Sequence, residues 1–496
     1  MKRLFPLFIL ASLSTFSIGQ NQVDALRYSL TYPGGTARSV ALGGAFGALG
    51  GDFYSASQNP AGLGVYRSSE LTFTPELFYS KVNSRYYGNS DEDIKYNFNF
   101  NNIGYISSFD MGSHGIVGGS FAIGYNKLVN YNENILIEGT NTQSSLGDMF
   151  VESANYGEGS GPVGLDYLHP FTEGLFYDGE IMNIDNAGYY YLNEDIRDTL
   201  GNINIDQYNG VKRSGKINEW AIAMGFNYEH KLYFGATISI LPLEYDETSS
   251  FRESDREGTG VEYFRYNETL SVSGTGITAK VGVIVKPVAP LRIGLAYHLP
   301  VSYYLSEKYS ANLRSYRVSG IIDPIDEYGD LIDYASYEYR IVTPAKALGS
   351  IGLIVGKHAL LSTEIEYINY AGMRLADGSD GYDFSDENEI VKDIYRKNFN
   401  AKAGVEFRID KLYLRGGFGY YGSPYKMNEV NSNAYKLNYS GGIGIRDKSF
   451  FVDFALSYMT GEENLILYSS PYNANPVSAE LESIKIKAMT TFGFRF

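Results

Sequence analysis

The sequence predicts an all-β protein, a transmembrane antiparallel β-barrel of about 14 strands, and three observations carry that reading. Runs of roughly ten residues alternate large apolar with small or polar side chains, the length a tilted strand needs to cross a bilayer. Short turns and long polar segments follow one another along the chain, as in barrels with tight periplasmic turns and long extracellular loops. The last run, Ser483 to Phe496, places Ile484, Ile486, Ala488, Phe492, Phe494 and Phe496 on one face and ends on an aromatic.

Composition narrows the classes. The 496 residues are 44% hydrophobic, with 55 Gly, 45 Tyr, one Trp and no Cys. Past the first twenty residues no apolar stretch approaches the ~18 residues of a spanning helix, so a membrane role must use strands. Lys and Arg number 41 against 57 Asp and Glu, and the net charge of −16 repels phosphate backbones, which argues against nucleic acid as a partner. Cysteine absence removes thiol catalysis, disulfides and thiolate-held metals.

Residues 1–19 read as a cleavable secretory signal. Met1-Lys2-Arg3 precedes the apolar LFPLFILASLSTF, and small residues follow at Ser17-Ile18-Gly19. Residues 20–69 do not alternate. From about Leu71 to Phe496 the barrel pattern takes over, with further strands around Asn102 to Phe109 and Gly115 to Val129. Trp220, Ile222, Met224, Phe226 and Tyr228 oppose Ala221, Ala223, Gly225 and Asn227. After Glu229-His230-Lys231 the pattern restarts at Leu232, which makes a hairpin. The unit recurs at Ile277 to Leu299 and around turns near Gly356, Asp410 and Asp447. Polar segments between these hairpins, such as Asn130 to Asn218 and Asp246 to Gly274, read as loops. A secreted sandwich or solenoid would also give many strands, and a propeller should repeat with a period of ~40 residues, whereas here the loops differ in length and wording.

Within residues 20–69 stand Gly43-Gly44-Ala45-Phe46, Asp52, and Asn59-Pro60-Ala61-Gly62-Leu63. No strand precedes the glycines and no Gly-Lys-Ser/Thr follows, so a phosphate-cradling loop is disfavoured. The wording resembles the N-terminal hatch of FadL/TodX-type outer-membrane transporters of fatty acids and hydrocarbons. Ala347 to Tyr370 and Phe399 to Tyr425 are similar to that family's later hairpins. The resemblance implies a barrel in the outer membrane with an N-terminal plug inside it, passive capture of an apolar molecule by the loops, and lateral escape through a kink in the third strand. Small inward residues such as Gly118, Ser120, Ala122, Gly124, Gly417 and Gly419 leave room for such an insert.

Gly118 and Gly119 in the third strand are the expected lateral gate, or equally two glycines facing the plug. Leu165, Tyr167, Leu168, Phe171, Leu175 and Phe176 are unusually apolar for a loop and form a candidate capture groove, against self-packing of a long loop. On the inward face Lys280, Lys286, Arg292, Lys402, Arg408 and Arg415 accompany Glu364, Glu366, Glu406 and Asp453, so lumenal ion pairing is the default. His114, His169, His230, His298 and His358 show no metal spacing, and no nucleophile and base assemble, so the chain reads as a non-enzyme with no cofactor and no resident metal. The loop at 377–389, with Asp377, Asp380, Asp383 and Asp386, leaves calcium open against a solvated acidic loop. Expected partners are outer-membrane lipid and a hydrophobic small molecule. By the same resemblance an adaptor barrel that docks other outer-membrane proteins, as in the PorV-type secretion component, is the alternative, and hemin uptake a specialised version of transport.

Overall fold

The computed structural model describes residues 22–112, 114–156, 161–193, 203–255, 261–317, 320–322, 335–469 and 476–496. Residues 1–19, expected to be a secretory signal, lie outside them. β1 (Glu70–Tyr86) and β2 (Asn89–Asp110) form the first hairpin, and β3 (Ile116–Asn130) continues into β4 (Glu133–Asn141) as the third strand. A small separate sheet, β5 (Met182–Ile184) with β6 (Tyr190–Leu192), lies in the excursion that follows. The wall resumes with β7 (Ile205–Tyr228), β8 (Leu232–Asp255) and β9 (Val261–Val288). β10 (Leu291–His298) and β11 (Ser302–Arg317) share the seventh position, with the short β12 (Gly320–Ile322) folding back on β11. β13 (Ala335–Val342) and β14 (Lys346–Val355) make the eighth, β15 (Ala359–Asn369) and β16 (Arg374–Ala376) the ninth. β17 (Lys397–Ile409), β18 (Leu412–Tyr421), β19 (Lys436–Arg446), β20 (Phe450–Tyr468) and β21 (Val477–Arg495) complete the circuit. β21 pairs antiparallel with β1, from Glu70↔Arg495 to Arg85↔Glu480, so the sheet is a closed 14-strand antiparallel barrel. No described helix is long and apolar enough to cross a membrane.

Closure explains the alternation. Every strand turns one face inward, and the outward face carries an apolar belt: Trp220, Ile222, Met224 and Tyr228 on β7, Ile238 and Ile240 on β8, Ile277, Val281, Val283 and Val285 on β9 are all exposed. The belt spans about the 9–11 residues per strand that a bilayer requires. Beyond it the outward positions of β8 become Glu244, Asp246 and Thr248 while the ladder with β9 continues to Ser254↔Tyr263.

Two sequence-based expectations change here. The polar stretch Asp246 to Gly274, read as a loop, is mostly paired strand, because above the bilayer the outer face no longer has to be apolar and the period-two signal disappears while the hydrogen bonds persist. The second strand, expected around Asn102 to Phe109, runs back to Asn89, and β1 and β2 meet at a two-residue turn, Tyr87–Gly88, with φ of 43° and 87°. Both central residues of such a tight hairpin turn need positive φ. Short and long connections therefore do not alternate strictly.

Candidate functional site

Residues 22–69 pack on inward-facing side chains from strands on different sides of the barrel. α1 (Gln22–Arg27), α2 (Ala37–Ala41), α3 (Ser55–Gln58) and a 3-10 turn at Pro60–Val65 are linked by tight glycine turns. Small residues permit this. A Cβ on Gly225 would lie 2.7 Å from the backbone nitrogen of Gly64, and one on Gly43, whose φ is +66°, would lie 2.8 Å from the nitrogen of Phe418. Gly124, expected to face an insert, lies beside the Phe53 ring, and Gly417 beside Gly43, whereas Gly118 abuts Phe109 of the neighbouring strand. Asn59 caps the 3-10 turn by accepting from the Ala61 nitrogen at 3.1 Å, and its amide donates to the Gly47 carbonyl at 2.6 Å. Gly44, Pro60, Ala61, Gly62 and Leu63 are buried around it.

Charge holds the same segment. Arg38 pairs with Glu406 at 3.0 Å, Arg415 joins Glu406 at 2.6 Å and Asp453 at 2.7 Å, and Arg446 pairs with Asp453. Lys402 meets Glu364 at 3.0 Å, and Glu364 accepts from the Gly47 nitrogen at 2.8 Å. Lys280 pairs with Glu219, which also accepts from Ser57. Three of the six inward cations are thus in ion pairs with barrel acids. Arg292 donates to the Leu49 carbonyl, Arg408 to the Asp410 carbonyl at 2.9 Å in a turn, and Lys286 lies at the end of β9 beside the turn to β10.

Above α1 the interior is apolar and aromatic. Leu26 and Tyr28 join Tyr245, Tyr303, Leu305, Tyr339 and Ile341 of the wall, with Phe384 and Val391 from the segment leading into and through α6 (Ser385–Ile394). Higher still, residues 142–156 and 161–193 cover the mouth. α4 (Leu146–Tyr156) and α5 (Glu173–Asp178) insert Phe150 and Phe176, ring centroids 4.4 Å apart, against Phe264, Tyr266 and Leu313 of the extended strands. The six residues expected to line a groove are split. Phe171, Leu175 and Phe176 are buried in this cluster, Leu168 packs at its edge, and Leu165 and Tyr167 face outward. Around 377–389, Asp377 pairs with Arg340 at 2.5 Å and Asp383 accepts from Ser385; no set of three His, Asp or Glu residues among the described ones is grouped to hold a metal.

The third strand breaks the wall, though not at its glycines. β2 pairs with β3 straight through Asp110↔Gly118 and Phe109↔Gly119, and a register shift beside Gly118 affects only the pairing with β7. The β2–β3 ladder instead stops at Asn102↔Asn126. Past a second shift at Lys127/Val129 the chain continues as β4, which pairs with β7 alone. Ile135 and Ile137 of β4 pack on Val82 and Tyr86 of β1 and Leu481 of β21, so β4 runs along the inner side of the first hairpin. Side chains replace the missing ladder: Lys127 donates to Asn99, Asn134 to Asp93 at 3.4 Å, and Asp91 accepts from the Glu138 nitrogen at 3.1 Å. This seam lies beside the exposed Tyr96, Phe98 and Phe100 of the belt. Sequence reasoning missed it; the run Asn126, Asn130, Asn132, Asn134 was its available signal.

Among solved structures the fold is similar to a FadL homologue of Pseudomonas aeruginosa (TM-score 0.57, 12% identity, 94% of this chain and 100% of that one). It is also similar to the toluene transporter TodX of Pseudomonas putida (0.51, 12%, 93% and 99%) and the toluene transporter TbuX of Ralstonia pickettii (0.50, 15%, 93% and 98%). No family model and no curated protein matches the sequence. At these identities the likeness shows the fold, that of an outer-membrane FadL-type β-barrel.

Proposed function

We propose that this barrel is an outer-membrane channel for passive uptake of hydrophobic compounds, long-chain fatty acids or similar apolar molecules. The observation that carries the reading is the seam. A wall strand that leaves its neighbour at the level of the lipid belt forfeits backbone hydrogen bonds where each unsatisfied group costs several kcal/mol, and an assembly scaffold has no use for that cost. In this reading residues 22–69 act as a plug that blocks straight passage to the periplasm, residues 142–156 and 161–193 capture cargo, and the aromatic interior leads it to the seam, where it leaves sideways into the membrane. The likeness to two toluene transporters supports an apolar cargo, and nothing in the route calls for bond chemistry.

Native mass spectrometry of the barrel, extracted gently from its own outer membrane, tests this. The expected result is a single barrel carrying releasable mass of one small apolar molecule. An empty barrel with a stoichiometric protein companion would overturn transport in favour of an adaptor role, and a tetrapyrrole in the released fraction would make hemin the cargo.

A further inference from the structure

The seam also concentrates open polar capacity. Among the buried side-chain nitrogen and oxygen atoms of the described residues that have no hydrogen-bond partner are those of Ser80, Asn97, Asn130 and Asn134. Glu76 and Ser80 are each 1% exposed and face inward from β1. Asn99 stands directly across the ladder from Glu76 and hydrogen-bonds its carboxylate, so those two serve each other, and Asn97 stands across from Phe78. The bonds Lys127 to Asn99 and Asn134 to Asp93 bracket the gap, so Asn97 on one side and Asn130 on the other lie between them. Leaving buried polar groups unpaired is unfavourable, so a set of them in one place points to something that pairs with them.

The open atoms define the chemistry. Beyond the Glu76–Asn99 pair, the Asn97 and Asn134 carbonyls accept, the Asn130 amide donates, and the Ser80 hydroxyl does either. Lys127 stands at the same level as Glu76, and Lys487, opposite Phe78 on β21, donates to the Pro33 carbonyl at 3.1 Å. The charged groups there already have partners, Lys127 on Asn99, Lys487 on the Pro33 carbonyl and Glu76 on Asn99, so the groups left open are neutral. A hydroxyl meets acceptors and donors together. We infer that the seam is a head-group site for an amphiphile with a neutral, hydroxyl-bearing head, and that such amphiphiles are held there in preference to bare hydrocarbons or carboxylates. This rests on the channel reading above and adds the polarity of the cargo.

The test uses the full barrel in micelles and three probes of equal chain length, monodecanoylglycerol, decanoate and decane, with retention read by native mass spectrometry. Monodecanoylglycerol should be retained about tenfold more tightly than the other two. In Asn97→Leu/Asn134→Leu its advantage over decane should fall towards unity. If that variant does not assemble, shown by loss of heat-modifiable migration, Ser80→Ala/Asn130→Leu provides the same comparison. Equal retention of all three probes would mean that the open groups bind water alone and would overturn the site, as would a preference for decanoate or an advantage that survives both variants. Retention of no probe would instead sink the channel reading itself.

Discussion

Glu253 shows how a single residue can set the state of the extracellular cap. It lies on β8 far above the lipid belt, 2% exposed, and accepts from the Leu146 nitrogen at 2.7 Å, from Gln207 at 2.6 Å and from Ser145 at 2.5 Å. Burial pushes its carboxyl from the usual 4.5 up to about 7, against the pull of those hydrogen bonds, and Asp148 on α4 adds to the rise. The folded chain then keeps a proton that the opened chain releases. The docked cap is penalised as pH rises from about 4.5 through about 7 and unpenalised below. The protection factors of the amides across 142–156, exchange rates corrected for the intrinsic base-catalysed rate, should fall about tenfold or more between pH 5 and pH 8, and Glu253→Gln should flatten that dependence. Protection that does not change with pH in the unaltered protein would show that the carboxyl does not titrate in the docked cap. Nothing in the sequence around Glu253 marks it. Asn59 is the contrary case: Asn before Pro is a turn signal by itself, and the structure uses it as the cap of the Pro60–Val65 turn.

At the scale of elements, the segment 22–69 is seated by short helices and close backbone approaches, with Arg38 as its charged anchor to Glu406. Replacing Arg38 by Ala removes one of two cations on Glu406 and loosens α2, at a cost of about 2–3 kcal/mol, because Arg415 still neutralises the carboxylate. The expected outcome is larger or more frequent ionic current through single barrels in planar bilayers than the unaltered protein passes. Unchanged current would place the retention of the segment in its glycine contacts alone. The strands β7, β8 and β9 carry a related lesson. Their membrane portions were legible because lipid on one face and packed interior on the other impose period two. Their upper portions were not, because there the outer face carries polar side chains and the period-two signal fades, while the ladder continues through Asp206↔Ser254 and Arg252↔Arg265.

For the whole molecule, the decisive feature is that the closed sheet parts between its second and third strands past Asn102↔Asn126. If cargo leaves there, fixing β2 to β3 should stop uptake. The chain contains no cysteine, so Asn99→Cys with Lys127→Cys introduces the only two thiols, and a short bis-maleimide across them should abolish accumulation of a labelled apolar tracer while either single variant, treated alike, retains it. Persistent uptake through the bridged barrel would move the exit elsewhere. The sequence by itself determined the barrel, its strand number and the membrane belt, since all of these are one-dimensional consequences of which side chains lipid and close packing tolerate. Only the tertiary structure decided that Phe171, Leu175 and Phe176 close the mouth while Tyr167 faces outward, and that the third strand parts from its neighbour after Asn126 and not at Gly118 and Gly119. Those outcomes depend on which distant strands stand opposite one another. A glycine weakens a ladder locally, but a strand leaves the wall only where side chains from three other strands, here Val82, Val211 and Leu481, offer it a better surface inside.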